Sequence, residues 1–142
     1  MSILGNPGGA NGLPASYQGV FADYIAGGTI GTGDVVIFTA TGTVTTTTTA
    51  NSPVIAGVAT ENAVSGEAVN VLVHGVGLVN QPATSIASGR VLTTSTAAGK
   101  SNTCSPQAAL GEVGTLGVQI VANPNAVGAY LCHINISSSR GV

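Results

Sequence analysis

The chain has few charged residues. Its 142 residues include three basic and five acidic side chains, so that 6% of the residues are charged, where a soluble domain typically carries about 25%. The formal net charge is −2, which gives long-range attraction to nucleic acid phosphates or to an anionic membrane surface almost nothing to act on. We therefore expect neither nucleic acid nor a membrane among its partners.

Long apolar runs are also missing. Gly, Thr, Asn or Ser interrupts every apolar stretch before the roughly 18 residues that a transmembrane helix needs. The first seven residues lack the basic region and the apolar core of a secretory signal. Because 44% of the residues are nevertheless hydrophobic, the chain has enough apolar surface to fold, and its length suits one domain.

Residue types that carry chemistry are few. The two cysteines, Cys104 and Cys132, form no metal-ligand motif, and they are either a disulfide or two separate buried thiols. His74 and His133 stand in strand-like segments without zinc spacing, and we interpret them as surface or hydrogen-bonded structural residues. A catalytic pocket needs several titratable side chains that converge on one place, and the chain has only five acids, three bases and two histidines. We expect a protein that is not an enzyme and that holds no metal or cofactor.

Glycine, valine and threonine dominate what remains. The chain has 21 glycines, and short apolar or alternating segments recur between turn residues, as expected of strands. Seven strands are predicted in this way, over residues 35–41, 43–49, 54–60, 68–74, 91–95, 117–122 and 129–136. The fold class is therefore all-β, with a small β-barrel or sandwich core. The threonine run at 39–49 suggests a hairpin with one wet face rather than an ice-binding surface, which needs several such rows.

The order of turn and strand signals occurs twice. The first set of signals is Gly-Asp-Val-Val at 33–36, Gly-Val-Ala at 57–59 and a strand that begins with Gly at 66–71. The second set follows in the same order, with Gly-Arg-Val-Leu at 89–92, Gly-Val-Gln at 117–119 and a strand that begins with Gly at 128–131. Each glycine followed by a strand is a turn signal, because glycine reaches positive φ at little cost. The echo is either a duplicated half of the core or the ordinary spacing of β-hairpins.

Residues 1–33 are rich in Gly, Asn and Pro, and we interpret them as an extended N-terminal arm ahead of a β-rich domain at 34–142. Within the arm, Tyr17, Val20, Phe21, Tyr24 and Ile25 are spaced as one stripe of a short helix. This stripe is the predicted docking site. It either covers an open end of its own β core or reaches a partner, since aromatic anchors dominate interface energies.

Four segments of the β domain resemble the head decoration, or cement, proteins of tailed bacteriophages. They are GDVV at 33–36, SPVIAGVAT at 52–60, SGEAVNVLVHGVG at 65–77 and ASGRVL at 87–92. The succession of these segments carries the resemblance, and the stretch 95–112 and Gln119 depart from it. The resemblance implies a small β-rich virion protein that binds the outer capsid surface and reinforces the phage head.

The resemblance also implies partners and a location. The expected partners are the major capsid protein and further copies of the chain itself, most often as a homotrimer. The expected location is the capsid exterior of the virion, with the host cytoplasm as the place of assembly. A neutral surface agrees with such a role, because many repeated weak contacts give avidity without charge. The alternative from another class is an adhesin-like or surface-layer module that binds a glycan or a host surface.

Overall fold

The structure is a computed structural model, and it describes residues 17–103 and 114–138. The described residues contain strands and no helix, so the all-β prediction is confirmed. The eleven strands are β1 (Tyr17–Ala26), β2 (Val35–Ala40), β3 (Thr43–Thr45), β4 (Ile55–Ala59), β5 (Ala68–Gln81), β6 (Ser85–Ile86), β7 (Val91–Thr94), β8 (Ser101–Thr103), β9 (Gly114–Gln119), β10 (Asn123–Pro124) and β11 (Gly128–Ser138). Each of the seven predicted strand segments overlaps an observed strand, although only Thr43–Thr45 of the segment 43–49 is a strand.

Nine of these strands form one large mixed sheet in the order β1-β3-β2-β4-β5-β11-β9-β7-β8, and β10 and β6 form a separate pair. The β1–β3 pair is parallel, and the other pairs in the large sheet are antiparallel. β1 also pairs with β5, but beyond β5 the sheet continues through β11, β9 and β7 to β8. The nine strands as a whole are not closed into a barrel, so the expected small barrel is replaced by a large mixed sheet.

The predicted helix between residues 17 and 25 is wrong, because Tyr17–Ala26 is a strand. β1 pairs with β5 from Tyr17 opposite Gly77 to Ile25 opposite Ala68. Over ten residues a helical stripe is marginal in water, and a ladder along a neighbouring strand satisfies the same backbone groups. Residues 1–16 of the predicted arm lie outside the described residues, and the division at residue 33 stays a prediction.

The echo in the sequence corresponds to a repeat in the structure. Strands β2, β4 and the first part of β5 pair in the same order and register as β7, β9 and β11. The corresponding pairs are Val35–Val58 with Val91–Val118, Val36–Gly57 with Leu92–Gly117, and Val58–Leu72 with Val118–His133. The turn before each first strand repeats as well, because Gly33 donates to the Ala59 carbonyl and Gly89 donates to the Gln119 carbonyl, both at 2.8 Å. We call these two units the first half and the second half.

Two clusters of buried side chains form the core. The first cluster lies between the halves and contains Val35, Ile55, Val58, Leu72, Val79, Ile86, Leu92, Leu116, Cys132 and Ile134. The second cluster belongs to the first half and contains Ala26, Ile30, Val36, Val44, Ala56, Ala59, Ala63, Val69 and Val71. Neighbouring residues such as Val35 and Val36 enter different clusters, because successive side chains of a strand point to opposite faces. The first half is therefore buried on both faces.

A buried polar cluster occupies the matching place in the second half. The register equates Ala59 and Val71 with Gln119 and Cys132, and the β6–β10 pairing equates Ala63 with Asn123. The side chains of Gln119, Cys132, Asn123 and Gln81 are buried and hydrogen-bonded to one another. The contacts run from Gln81 Nε2 to Gln119 Oε1 (2.6 Å), from Gln119 Nε2 to Gln81 Oε1 (3.2 Å), from Asn123 Nδ2 to Gln81 Oε1 (3.2 Å), and from Cys132 Sγ to Gln119 Oε1 (3.3 Å). Buried amides are tolerated there because they satisfy one another.

Candidate docking surface

The five residues predicted to dock on a partner all lie on β1, but the strand sends them to two faces. Tyr17, Phe21 and Ile25 alternate onto one face, and Val20 and Tyr24 onto the other. The pairing supports this division, because Phe21 lies opposite Leu72 of the first core cluster and Tyr24 lies opposite Val69 of the second. The single stripe that a helix would have produced does not exist.

Tyr17 serves the core rather than the surface. Its ring packs against the first core cluster, and its hydroxyl donates a hydrogen bond to the main-chain oxygen of Leu78 at 3.1 Å. The absence of a side chain at Gly77, which lies directly opposite, makes room for the ring. Burial raises the pKa of the Tyr17 phenol above its ordinary value of 10.0, and the nearby negative charge of Asp34 raises it further. The folded state therefore favours the protonated, neutral phenol of Tyr17.

Tyr24 is also partly committed to the fold. It is half-buried and packs against the second core cluster. Its ring meets that of Phe38 on β2 edge to face, with 5.2 Å between the ring centroids, an arrangement that aromatic pairs favour. Phe38 itself is exposed, so that this aromatic pair forms the rim of the second cluster.

Three of the five predicted residues are available for a partner. Val20 is 59% exposed, Phe21 is 41% exposed and Ile25 is 46% exposed. Phe21 and Ile25 share one face of β1, and Asp23 between them is held by a hydrogen bond from Asn70 Nδ2 to its Oδ1 at 2.9 Å. We call Phe21 and Ile25 the β1 patch. Large apolar side chains at a sheet surface are candidates for contact with other protein.

A second apolar surface was not predicted from the sequence. It runs straight across four strands of the large sheet, from Val91 on β7 to Val118 on β9, His133 on β11 and Val76 on β5. We call these four residues the outer row. Their chain neighbours Leu92 and Cys132 point to the opposite face, into the first core cluster. The sequence pattern does not indicate this surface, because Val91 and Leu92 of β7 are both apolar, which removes the alternation that marks a one-sided strand there.

The two histidines lie together at this surface. His74 is exposed and His133 is half-buried, and their rings meet edge to face with 5.6 Å between the centroids. Among the described residues there is no group of three or more His, Cys, Asp or Glu side chains arranged to hold a metal ion. Within the same part of the chain no helix is long and apolar enough to cross a membrane.

Cys132 is a buried free thiol. Burial raises its pKa from the ordinary 9.0 to about 12, an effect partly offset by a hydrogen bond with the backbone of Ile120. A thiol held neutral in this way is a poor nucleophile, because the thiolate is the reactive form. Cys104, the other half of the conceivable disulfide, lies outside the described residues.

One open groove lies between the β1–β2 and β4–β5 connections, lined by Thr29, Ile30, Gly31, Asn62, Ala63, Val64 and Glu67. Two of its polar side chains already accept hydrogen bonds. Glu67 Oε1 accepts a hydrogen bond from the Val64 backbone, and Asn62 Oδ1 accepts from the Thr32 backbone and hydroxyl. The lining holds no aromatic side chain, so it offers no flat apolar surface on which a ring could stack.

Comparison with known proteins gives a likeness in fold. No protein-family model matches the chain, and no curated protein matches it. Among solved structures, the chain is similar to the head fiber gp8.5 N base in bacteriophage phi29, with a TM-score of 0.60 and 14% sequence identity. The match covers 82% of this chain and 93% of the phi29 chain. The two chains therefore share a fold over most of their length.

Proposed function

We propose that this protein is a structural component of a phage head that binds the outer surface of the capsid and stabilises it. The likeness in fold to the base of a phi29 head fiber carries this proposal, because that protein is a part of a phage head and the match extends over almost the whole of it. The resemblance of four sequence segments to head decoration proteins supports it independently. The proposed partners are the major capsid protein and other copies of this chain, as a homotrimer.

The surface of the chain suits this role. With eight charged residues in the sequence, binding has to come from apolar and neutral polar contacts rather than from ionic pairs. A capsid repeats the same site many times, and oligomers of the chain would engage several sites at once, so that modest contacts combine into tight binding. The protein acts by binding and not by catalysis, at the capsid exterior, after assembly in the host cytoplasm.

We assign the capsid contact to the β1 patch. Phe21 supplies an exposed aromatic ring and Ile25 an exposed branched side chain on the same face of one strand. Burying such side chains contributes about 1.5–3 kcal/mol each, and aromatic anchors are enriched among the residues that dominate interfaces. Substitution there should cost binding without unfolding the chain, because both side chains already face solvent.

Co-sedimentation with capsids of the cognate phage that lack this protein tests the proposal. The unaltered chain is expected to pellet with the capsids and to give density outside the shell in cryo-electron microscopy. The double variant Phe21→Ser, Ile25→Ser should bind at least about tenfold more weakly, since 1.4 kcal/mol corresponds to a factor of ten. Val64→Ser is the matched control, because Val64 is at least as exposed as Phe21 and Ile25 but lies in the groove between two loops.

A chain that fails to bind such capsids, or that is found only in the tail of the virion, would refute the proposal. Binding that survives the double variant unchanged would refute the assignment of the contact to the β1 patch. The alternative of a glycan-binding module predicts saccharide binding on a glycan array. The groove described above gives that alternative no support, since its lining has no aromatic side chain on which a sugar ring could stack.

A further inference from the structure

The outer row has a counterpart in the first half, and the counterpart is buried. The repeat equates Val91, Val118 and His133 with Val35, Val58 and Leu72. The three counterparts are 1%, 0% and 0% exposed and belong to the first core cluster. In the second half, by contrast, Val91 is 44% exposed, and Val118 and His133 are half-buried. The same sheet face is covered in one half and open in the other.

In the first half, the sheet face that carries Val35, Val58 and Leu72 is covered by a sheet face of the second half. The first core cluster combines Val35, Val58 and Leu72 with Leu92 and Ile134, which point inward from β7 and β11. Strands of this sequence thus already pack face to face, as two sheets about 10 Å apart do in β proteins. A surface that matches the outer row is one made by another sheet face of the same kind.

The outer row contains no aspartate, glutamate, lysine or arginine. The outward positions of β1, β5 and β11 around it are also without these residue types, and they hold Gln18, His74, Leu78, Asn80, Leu131 and Asn135. Arg90, which precedes Val91 in the chain, is the one basic residue next to an end of the row, so few charges oppose the approach of a second copy. Val91 and Val118, like their counterparts Val35 and Val58, are valines, so they offer apolar surface that a contact can bury. A strand face that only meets solvent would carry polar residues there.

We propose that the outer row is the surface through which one copy of this chain contacts another. This inference rests on the self-association that the proposed function includes, and it names the face that produces it. If the outer row of one copy packs against the outer row of another, the two copies form a dimer. If the outer row of each copy packs against a different surface of the next copy, three copies form a ring. In both cases the row is covered by a second copy, and the β1 patch on another part of the sheet stays available for the capsid.

Sedimentation of the purified full chain without capsids tests this inference. The unaltered chain is expected to self-associate, and Val118→Lys should weaken the association by at least about tenfold, since it places an unpaired charge in a contact that excludes water. Val91→Lys, at a more exposed position on another strand, should act in the same direction. Val64→Lys is the control and should leave the association unchanged. Thermal unfolding of each variant confirms that it is folded.

A chain that stays monomeric over the whole accessible concentration range would overturn the inference, and so would an oligomer that resists both Val118→Lys and Val91→Lys. If Val118→Lys fails to fold, Val91→Lys alone decides. Failure here is separable from failure of the proposed function, because association is measured without capsids and the β1 patch variant is expected to associate normally. Capsid binding by a monomeric chain would reject this inference and the proposed homotrimer, and would keep the proposed role of binding and stabilising the capsid.

Discussion

Gly19 on β1 lies directly opposite Gly75 on β5, and neither position has room for a side chain. A Cβ at Gly19 would fall on the main-chain oxygen of His74, and a Cβ at Gly75 would fall on that of Gln18. Both residues also adopt positive φ, of 148° and 137°. The close approach occurs next to a register shift, since Val20 lies opposite His74 whereas Phe21 lies opposite Leu72, which leaves Val73 without a partner on β1.

Substituting either glycine should therefore destabilise the fold. The backbone conformation alone costs a residue with a side chain about 1–3 kcal/mol, and the clash with the neighbouring strand adds to it. We expect Gly19→Ala and Gly75→Ala each to lower the free energy of unfolding by at least about 2 kcal/mol in urea titrations. Gly128→Ala is the control, since φ there is not positive and an added Cβ would meet only ordinary contacts. Equal stability of all three variants would show that β1 does not pair with β5 in this register.

Tyr17 provides a test at alkaline pH. Its pKa is raised in the folded chain, so the folded state holds its proton more tightly than the unfolded state does. The stabilisation is fully present below about pH 10, the unfolded value, and is lost as the pH rises through the folded value. Tyr17→Phe removes both the titration and the hydrogen bond to Leu78, which contributes about 1 kcal/mol.

The measurement is the free energy of unfolding of both proteins between pH 8 and pH 11, a range set by the ordinary phenol pKa. The unaltered chain should be more stable at pH 8, and the difference should shrink as the pH rises above 10. A constant difference across the range would mean that the Tyr17 hydroxyl is exposed to solvent. Tyr130→Phe controls for tyrosine titration in general, because that hydroxyl bonds to the Ala126 carbonyl at an exposed position.

Cys132 should resist alkylation in the native state. Its raised pKa of about 12 leaves on the order of one thiolate in 10,000 at pH 8, and its side chain is buried. In a Cys104→Ser chain, which keeps one thiol, we expect iodoacetamide to react with Cys132 orders of magnitude more slowly under native conditions than in urea. Rapid labelling of the native chain would contradict the buried position of β11. The stability linked to this thiol is lost as the pH rises from 9 toward 12.

How much of this fold the sequence predicts depends on whether a strand has one buried face or two. The strand predicted at 129–136 could be found because Cys132 and Ile134 alternate with more polar positions. The sequence does not indicate the outer row, because Val91 and Leu92 are both apolar, and only the register shows that one points outward and the other inward. The spacing of Tyr17, Phe21 and Tyr24 predicts a helix in place of β1, because the ladder between β1 and β5 depends on contacts some fifty residues away in the chain.

The buried amides could not be foreseen either, because a glutamine in a strand usually marks the wet face. Gln81 and Gln119 are nevertheless buried and paired, in the part of the second half that corresponds to the alanine-rich second core cluster. Their reciprocal contact is a pairing that neither local sequence encodes. It does make a quantitative prediction, since an amide that loses its partner in a dry environment costs more than the pair contributes.

Replacing one member of the pair should therefore be worse than replacing both. Gln81→Leu takes one hydrogen-bond partner from Gln119 and one from Asn123, which keep their bonds to the Val121 and Pro82 carbonyls. We expect a loss of about 1–3 kcal/mol in the free energy of unfolding, because the Gln119 side-chain oxygen loses its amide donor. The double variant Gln81→Leu, Gln119→Leu should lose clearly less than the sum of the two single losses, which a double-mutant cycle in urea measures directly. Gln18→Leu is the control, because Gln18 is exposed on β1 and its replacement should change stability by less than about 0.5 kcal/mol. Additive losses at Gln81 and Gln119 would mean that the two amides are hydrated separately, and the strands β5 and β9 would then not bury them against each other.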